Sequence, residues 1–137
     1  MHFLPGYERG EWIEELKPAS AARLPPPRDV AVLCLQHSAQ SHAIPLAKTG
    51  GKVGEQLTVI GYPIPGMHVQ NRMTCKIDQV GGVGAFSLAC PMRPGASGSP
   101  VLRQTTNGFE LVGVISATNA TRSLAYGVGN DLLGKCE

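Results

Sequence analysis

Pro94-Gly95-Ala96-Ser97-Gly98-Ser99-Pro100-Val101-Leu102 is the stretch on which the reading of this chain turns. Two glycines flank a serine just before the apolar start of a strand. A tight turn at that place exposes the Ser97 hydroxyl and lets the backbone N–H groups of Gly95 and Ser97 converge on one point. Converging donors beside a free hydroxyl make an oxyanion hole next to a nucleophile. Glycine at 95 keeps the approach of a carbonyl oxygen clear, and glycine at 98 lets the turn pack close to its neighbours. The same composition also suits a plain Gly/Ser/Pro turn between two strands, so the flanking segments have to decide.

Outward from this turn, short apolar runs alternate with Gly and Pro punctuation. Residues 100–104 and 109–117 read as strands joined at Asn107-Gly108, because a type I′ turn needs positive φ at both central residues and Asn-Gly tolerates it. Residues 57–62, 68–80, 85–90 and 123–128 are further strands, separated by Pro63-Ile64-Pro65-Gly66 and Gly81-Gly82-Val83-Gly84. Six strands at this spacing suit a small closed antiparallel barrel, so the fold class is all-β. Upstream, Pro25-Pro26-Pro27 is a stiff approach to a buried strand over 30–35. Before Asp29 the pattern is poorer: Phe3-Leu4 can end a strand, and residues 11–17 suit either a helical turn or a strand.

With 16% charged and 42% hydrophobic residues the chain can build a core, which excludes a disordered class. The net charge of +2 comes without a Lys/Arg cluster, so neither a nucleic acid nor an anionic membrane is an expected partner. No apolar run approaches the roughly 18 residues of a membrane span. The four cysteines form no C-x-x-C pair, which leaves zinc and thioredoxin-like sites unsupported, and no metal or cofactor is expected. Met1-His2-Phe3-Leu4-Pro5-Gly6 does not read as a signal peptide.

Three stretches, in order, resemble the chymotrypsin-like (trypsin-fold) serine proteases. Gly95-Ala96-Ser97-Gly98-Ser99-Pro100 is similar to the nucleophile motif G-x-S-G-x-P, most of all as in the bacterial secreted trypsin-like and V8-like members. Arg28-Asp29-Val30-Ala31-Val32-Leu33 resembles the segment that carries the triad aspartate, and Leu111-Val112-Gly113-Val114-Ile115-Ser116 the strand that lines the substrate cleft. Gly61-Tyr62-Pro63 stands where that family opens its second barrel. The resemblance covers residues 29–129 and implies a trypsin-like double antiparallel β-barrel. Residues 46–137 would be the complete C-terminal barrel with the nucleophile, and residues 1–45 a partial N-terminal barrel with the aspartate.

Carried over by residue, the resemblance makes Ser97 the nucleophile, Asp29 the group that orients the general base, and the N–H groups of Gly95 and Ser97 the oxyanion hole. Ser116, Ala117 and Thr118 would pair with a peptide substrate as an added strand. Ala96 stands where the digestive trypsins have the aspartate that receives a freed N-terminus, so that activation switch is not expected. The family's histidine precedes the aspartate, and only His2 precedes Asp29. His2-Phe3-Leu4-Pro5-Gly6-Tyr7 looks more like the strand after that histidine, so the base is expected to be missing from this chain, supplied by an N-terminal segment. His37, His42 and His68 are expected on the surface or in loops.

The resemblance further implies a Cys75–Cys90 disulfide, with two buried free thiols as the alternative. A closed loop of about 15 residues contributes about 3 kcal/mol. Cys34 is expected to be a packed thiol and Cys136 to lie in a loose tail. Pro91-Met92-Arg93 contains no acid for Lys/Arg recognition, and Ile115 replaces the histidine of glutamate-specific relatives, which leaves a small or apolar P1 residue. The expected function is a serine endopeptidase, secreted or periplasmic, acting on peptide or protein substrates. The alternative is a non-catalytic homologue that binds peptides or proteins; a third reading is a fragment with exposed strand edges and no stable fold.

Overall fold

The computed structural model describes residues 1–137 except Pro65, Met67 and Glu137, so Pro65 of the turn predicted after residue 62 lies outside the described residues. The strands are β1 (Pro18–Arg23), β2 (Ala31–Leu35), β3 (Gln56–Gly61), β4 (Asn71–Val80), β5 (Ala85–Leu88), β6 (Pro100–Thr105), β7 (Gly108–Thr118) and β8 (Ser123–Gly127). Strands β1 and β2 pair as a two-stranded antiparallel sheet, and the other six close a barrel in the order β3-β4-β5-β8-β7-β6.

Alternation of side chains builds the barrel interior. Cys75 and Ile77 of β4 are buried while Thr74 and Lys76 face solvent, β5 buries Phe86 and Leu88, and β8 buries Ser123 and Ala125. The barrel closes where β6 meets β3 through Thr58↔Leu102 and Val59↔Val101, which removes the sheet edges. Strand β7 crosses the core at Gly113, where a Cβ would stand 2.6 Å from the Tyr126 carbonyl oxygen and 2.9 Å from the Phe86 ring. A side chain there would push β7 off β8.

Three local expectations are corrected. Residues 11–17 form neither helix nor strand: Phe3 and Leu16 exchange two backbone hydrogen bonds, Glu8 bridges Glu11, and strand structure begins only at Pro18. The sequence Pro-Ala-Ser-Ala-Ala-Arg of β1 has small side chains without apolar alternation, and its strand exists through pairing with β2. Between β6 and β7 the two turn residues are Thr106 and Asn107, since Thr105 pairs with Gly108. Positive φ falls on Gly108 (+116°) and not on Asn107, so the turn is not type I′. The strand predicted from residue 68 begins at Asn71, with His68 in the preceding turn.

The cysteines require a further correction. Cys75 and Cys90 are bonded, and Cys34, expected as a packed thiol, is bonded to Cys136, expected in a loose tail. Cys34 is buried at the end of β2, and a 3-10 turn at Asn130–Leu132 leads the chain back to it. Leu24 and Val30 pack with Val128 into a second small core, against Leu111, Val114 and Tyr126. The segment between β1 and β2, which carries Asp29, is thereby seated on β7 and the end of β8.

Candidate active site

Two hydrogen bonds across β7 hold the turn that carries Ser97: Gly98 N–H donates to the Ile115 carbonyl (2.7 Å), and Ile115 N–H to the Ser99 carbonyl (3.0 Å). Within the turn, Ala96 N–H donates to the Arg93 carbonyl and Ser99 N–H to that of Ala96. Such tight reversals need positive φ, met at Gly95 (+92°) and Gly98 (+86°). A Cβ on Gly95 would also stand 3.1 Å from Ile64 Cγ1, whereas one on Gly98 would meet nothing within 4 Å. Glycine at 98 is required by backbone conformation, which corrects the expectation of close packing there. Among the described residues the N–H groups of Gly95 and Ser97 have no acceptor, so both donors are available to a ligand oxygen.

The exposed Ser97 hydroxyl donates to the Ser116 carbonyl oxygen (3.1 Å), and the Ser116 hydroxyl donates to Asp29 Oδ2 (2.7 Å). One residue of β7 therefore touches both Ser97 and Asp29. The register of β7 against β8 shifts between Ile115 and Ala117, which leaves Ser116 as the extra residue of a bulge and re-aims its side chain. Sequence reasoning placed Ser116 only in backbone pairing with substrate. Its bond to Asp29 carried no sequence signal, because the bulge depends on how β8 is registered.

The neighbour of Asp29 fastens that segment to the barrel. Arg28 Nη2 donates to the Gly127 carbonyl oxygen (2.9 Å), and Arg28 Nη1 pairs with Asp131, holding its carboxyl below the usual carboxylate range. Arg28 Nε is buried without a partner among the described residues.

The histidines lie elsewhere. All four are exposed; His2 pairs with Glu15, His68 bonds the Tyr7 hydroxyl, and none bonds Ser97 or Asp29. Among the described residues no three His, Cys, Asp or Glu side chains group as a metal site would require, and no helix is long and apolar enough to cross a membrane.

Beyond Val114, β7 has no β6 partner, while Ala117 and Thr118 still pair with β8. Among the described residues, one edge of residues 116–118 therefore has no strand partner next to Ser97. Facing it, Met92 N–H donates to Thr118 Oγ1 (3.0 Å), and the buried Ser123 hydroxyl donates to the Cys90 carbonyl oxygen (2.8 Å). These bonds stitch residues 90–92 directly to the β7–β8 hairpin.

Comparison with known proteins gives one family and a consistent fold. The trypsin-like peptidase domain matches residues 9–114. A thermostable serine protease from an extremophilic microorganism superposes with a TM-score of 0.71 at 18% identity, over 94% of this chain and 69% of that one. A serine protease of human pathogenic astrovirus gives 0.60 at 20% identity, over 88% and 66%. An inactive mutant form of a Mycobacterium tuberculosis H37Rv protein gives 0.62 at 18%, over 84% and 61%. The chain thus spans about two thirds of the length of these structures. No curated protein matches it significantly by sequence.

Proposed function

The chain belongs to the trypsin-like peptidase domain family, and from that premise we propose that it is a serine endopeptidase in which Ser97 is the nucleophile and Asp29 supports the base. The observation that carries this reading is the chain of hydrogen bonds Ser97–Ser116–Asp29. It brings a hydroxyl on one loop and a carboxylate on another to the same bulge.

In the mechanism, the Ser97 hydroxyl attacks the scissile carbonyl while an imidazole takes its proton. Asp29 holds that imidazole in the productive tautomer and stabilises the imidazolium that forms. The developing oxyanion accepts hydrogen bonds from the N–H groups of Gly95 and Ser97, a contribution of roughly 3–4 kcal/mol per donor where such donors have been removed in other enzymes. Collapse expels the amine with the proton from the imidazole, and water then hydrolyses the acyl-enzyme by the same route. The base is a histidine carried by polypeptide outside these 137 residues. His2, His37, His42 and His68 support this, since among the described residues none hydrogen-bonds Ser97 or Asp29. The non-catalytic, peptide-binding alternative becomes the reading if no histidine-bearing form reacts.

The substrate lies as an added strand along the open edge of Ser116, Ala117 and Thr118. Its P1 side chain is small or apolar, since Pro91-Met92-Arg93 carries no acid to receive a Lys or Arg and Ile115 offers no cation to a Glu. Two disulfides suit an oxidising compartment, so the protein works in a secreted or periplasmic setting.

A fluorophosphonate probe tests the assignment. The 137-residue chain should label slowly and at Ser97 alone, and a form extended with a family-type histidine segment should label much faster. Fast labelling of the short chain refutes the external base. Failure of the extended form to label refutes the enzyme.

A further inference from the structure

The segment that carries Asp29 has little means of holding itself. Pro25, Pro26 and Pro27 supply no backbone N–H, and among the described residues the turn has one internal bond, from Arg28 N–H to the Pro25 carbonyl oxygen (3.2 Å). Its two ends are fixed: Leu24 and Val30 are buried, and Leu24 N–H donates to the Val30 carbonyl oxygen (2.9 Å). Asp29 itself is exposed, and among the described residues the Ser116 hydroxyl is the single hydrogen-bond partner of its carboxylate. Arg28 is the other residue of 25–29 whose side chain hydrogen-bonds outside the segment. Its guanidinium reaches from the Gly127 carbonyl oxygen at the end of β8 to Asp131 in the following 3-10 turn. The side chain is only 20% exposed and its Nε is buried, so the group is inserted against the barrel and fixed there by its two Nη atoms.

We infer that Arg28 is a positioning residue for Asp29, and that Asp131 holds it in that role. The inference rests on the proposed function, in which Asp29 supports the base. A guanidinium carries its donors in a rigid planar fork, so two contacts fix direction as well as distance. Asp29 stands one planar peptide unit further along the chain, and its Cα is placed by the same grip. A carboxylate tied by one hydroxyl can still turn about its side-chain torsions, so its productive orientation depends on where that Cα is kept. Asp131 also gives the Arg28 cation a carboxylate other than Asp29, and Lys135 adds to the positive charge acting on Asp131.

The first test is 15N relaxation on the 137-residue chain, which reads no catalysis. The Asp29 amide should be as ordered as that of Ile77 inside the barrel, with an order parameter of about 0.85, and should fall toward about 0.6 in Arg28→Met while Ile77 is unchanged. Asp131→Asn, which spares the Gly127 bond, should move Asp29 the same way by less. The second test uses the form extended with a histidine segment. There Arg28→Met should slow fluorophosphonate labelling of Ser97 by about ten- to a hundred-fold, the scale of a small misplacement at a site. Arg28→Lys, which keeps the charge and loses the fork, should stay slow. The pH profile separates position from charge: a carboxylate that withdraws from an imidazolium lowers the imidazole pKa, whereas loss of a neighbouring cation raises it. The inflection of the labelling rate should therefore move to lower pH in Arg28→Met. A move to higher pH, full speed in Arg28→Lys, or unchanged Asp29 order in both Arg28→Met and Asp131→Asn overturns the inference. If the extended wild-type form labels fast, any of these results refutes the positioning role alone; if it does not label, the protease reading falls and takes this role with it.

Discussion

Removal of the Cys34–Cys136 bond should cost more stability than removal of Cys75–Cys90, although the latter is the bond inside the barrel. Cys34 and Cys136 are 102 residues apart, and Cys75 and Cys90 are 15 apart. In the chain-entropy description a bridge stabilises by restricting the unfolded ensemble, with a contribution of about 4.7 kcal/mol for a loop near 100 residues and about 3 kcal/mol for 15. The difference follows from (3/2)RT ln(102/15) and is about 1.7 kcal/mol. The comparison uses two double variants, Cys34→Ala/Cys136→Ala and Cys75→Ala/Cys90→Ala, unfolded in urea without reductant and followed by far-UV circular dichroism. The long-loop variant should have the lower midpoint, and both should unfold in one transition. Cys75 is more deeply buried, at 3% against 6% for Cys34, so cavity effects work against the predicted order. A Cys34/Cys136 variant as stable as the Cys75/Cys90 variant, or more stable, refutes the entropic reasoning. A separate early transition for the β1–β2 region would show that this sheet is not part of the cooperative unit.

Ser116→Ala should leave the Ser97 contact intact, because that bond uses the 116 carbonyl, while freeing Asp29; in a histidine-bearing form, fluorophosphonate labelling should slow by about ten-fold, the order of one lost hydrogen bond to a charged group. Gly98→Ala should cost about 1–2 kcal/mol in urea unfolding, since φ of +86° is strained for a side chain even in open space. Glu55, which accepts two hydrogen bonds from Arg103, has its carboxyl held below the ordinary value of 4.5 mainly by that bond. A depressed folded-state value means that the stabilisation is full above about pH 5.5, starts to fall near 4.5 and is lost as pH drops through the folded value. Glu55→Gln should therefore lower stability at pH 7 and flatten the acid side of the profile; an unchanged acid limb in thermal unfolding counts against the pair. Arg103→Met, which leaves Glu55 and Glu110 without their shared partner, should destabilise by about 1–3 kcal/mol at pH 7.

The barrel was legible because its information is local. Alternation in β4 and β5, Gly-Pro punctuation and the Gly-Ala-Ser-Gly turn each state their conformation within a few residues. The N-terminal part was not legible for the converse reason: β1 has no apolar stripe, and its strand is made by β2. Asp29 was singled out by resemblance alone, since nothing in the residues around it says that a bulge opposite will offer Ser116. The Cys34–Cys136 pairing was invisible because it depends on where the chain stands after the whole barrel has closed. Asn107-Gly108 misled in detail because Asn-Gly serves more than one hairpin, and the pairing of Thr105 with Gly108 selects another.

Cys136 follows every barrel strand in the chain, and this imposes an order on biosynthesis. At 5–20 residues per second, roughly 5–20 s separate the appearance of Cys34 from that of its partner. During that interval β3 to β8 can form with Ser97 already in its turn, while the Asp29 segment is held by non-covalent contacts alone. Oxidation then comes last and seals a finished barrel to an arm made first. A cell that delays or reverses this one bond would hold the Ser97 turn complete and the Asp29 segment only loosely attached.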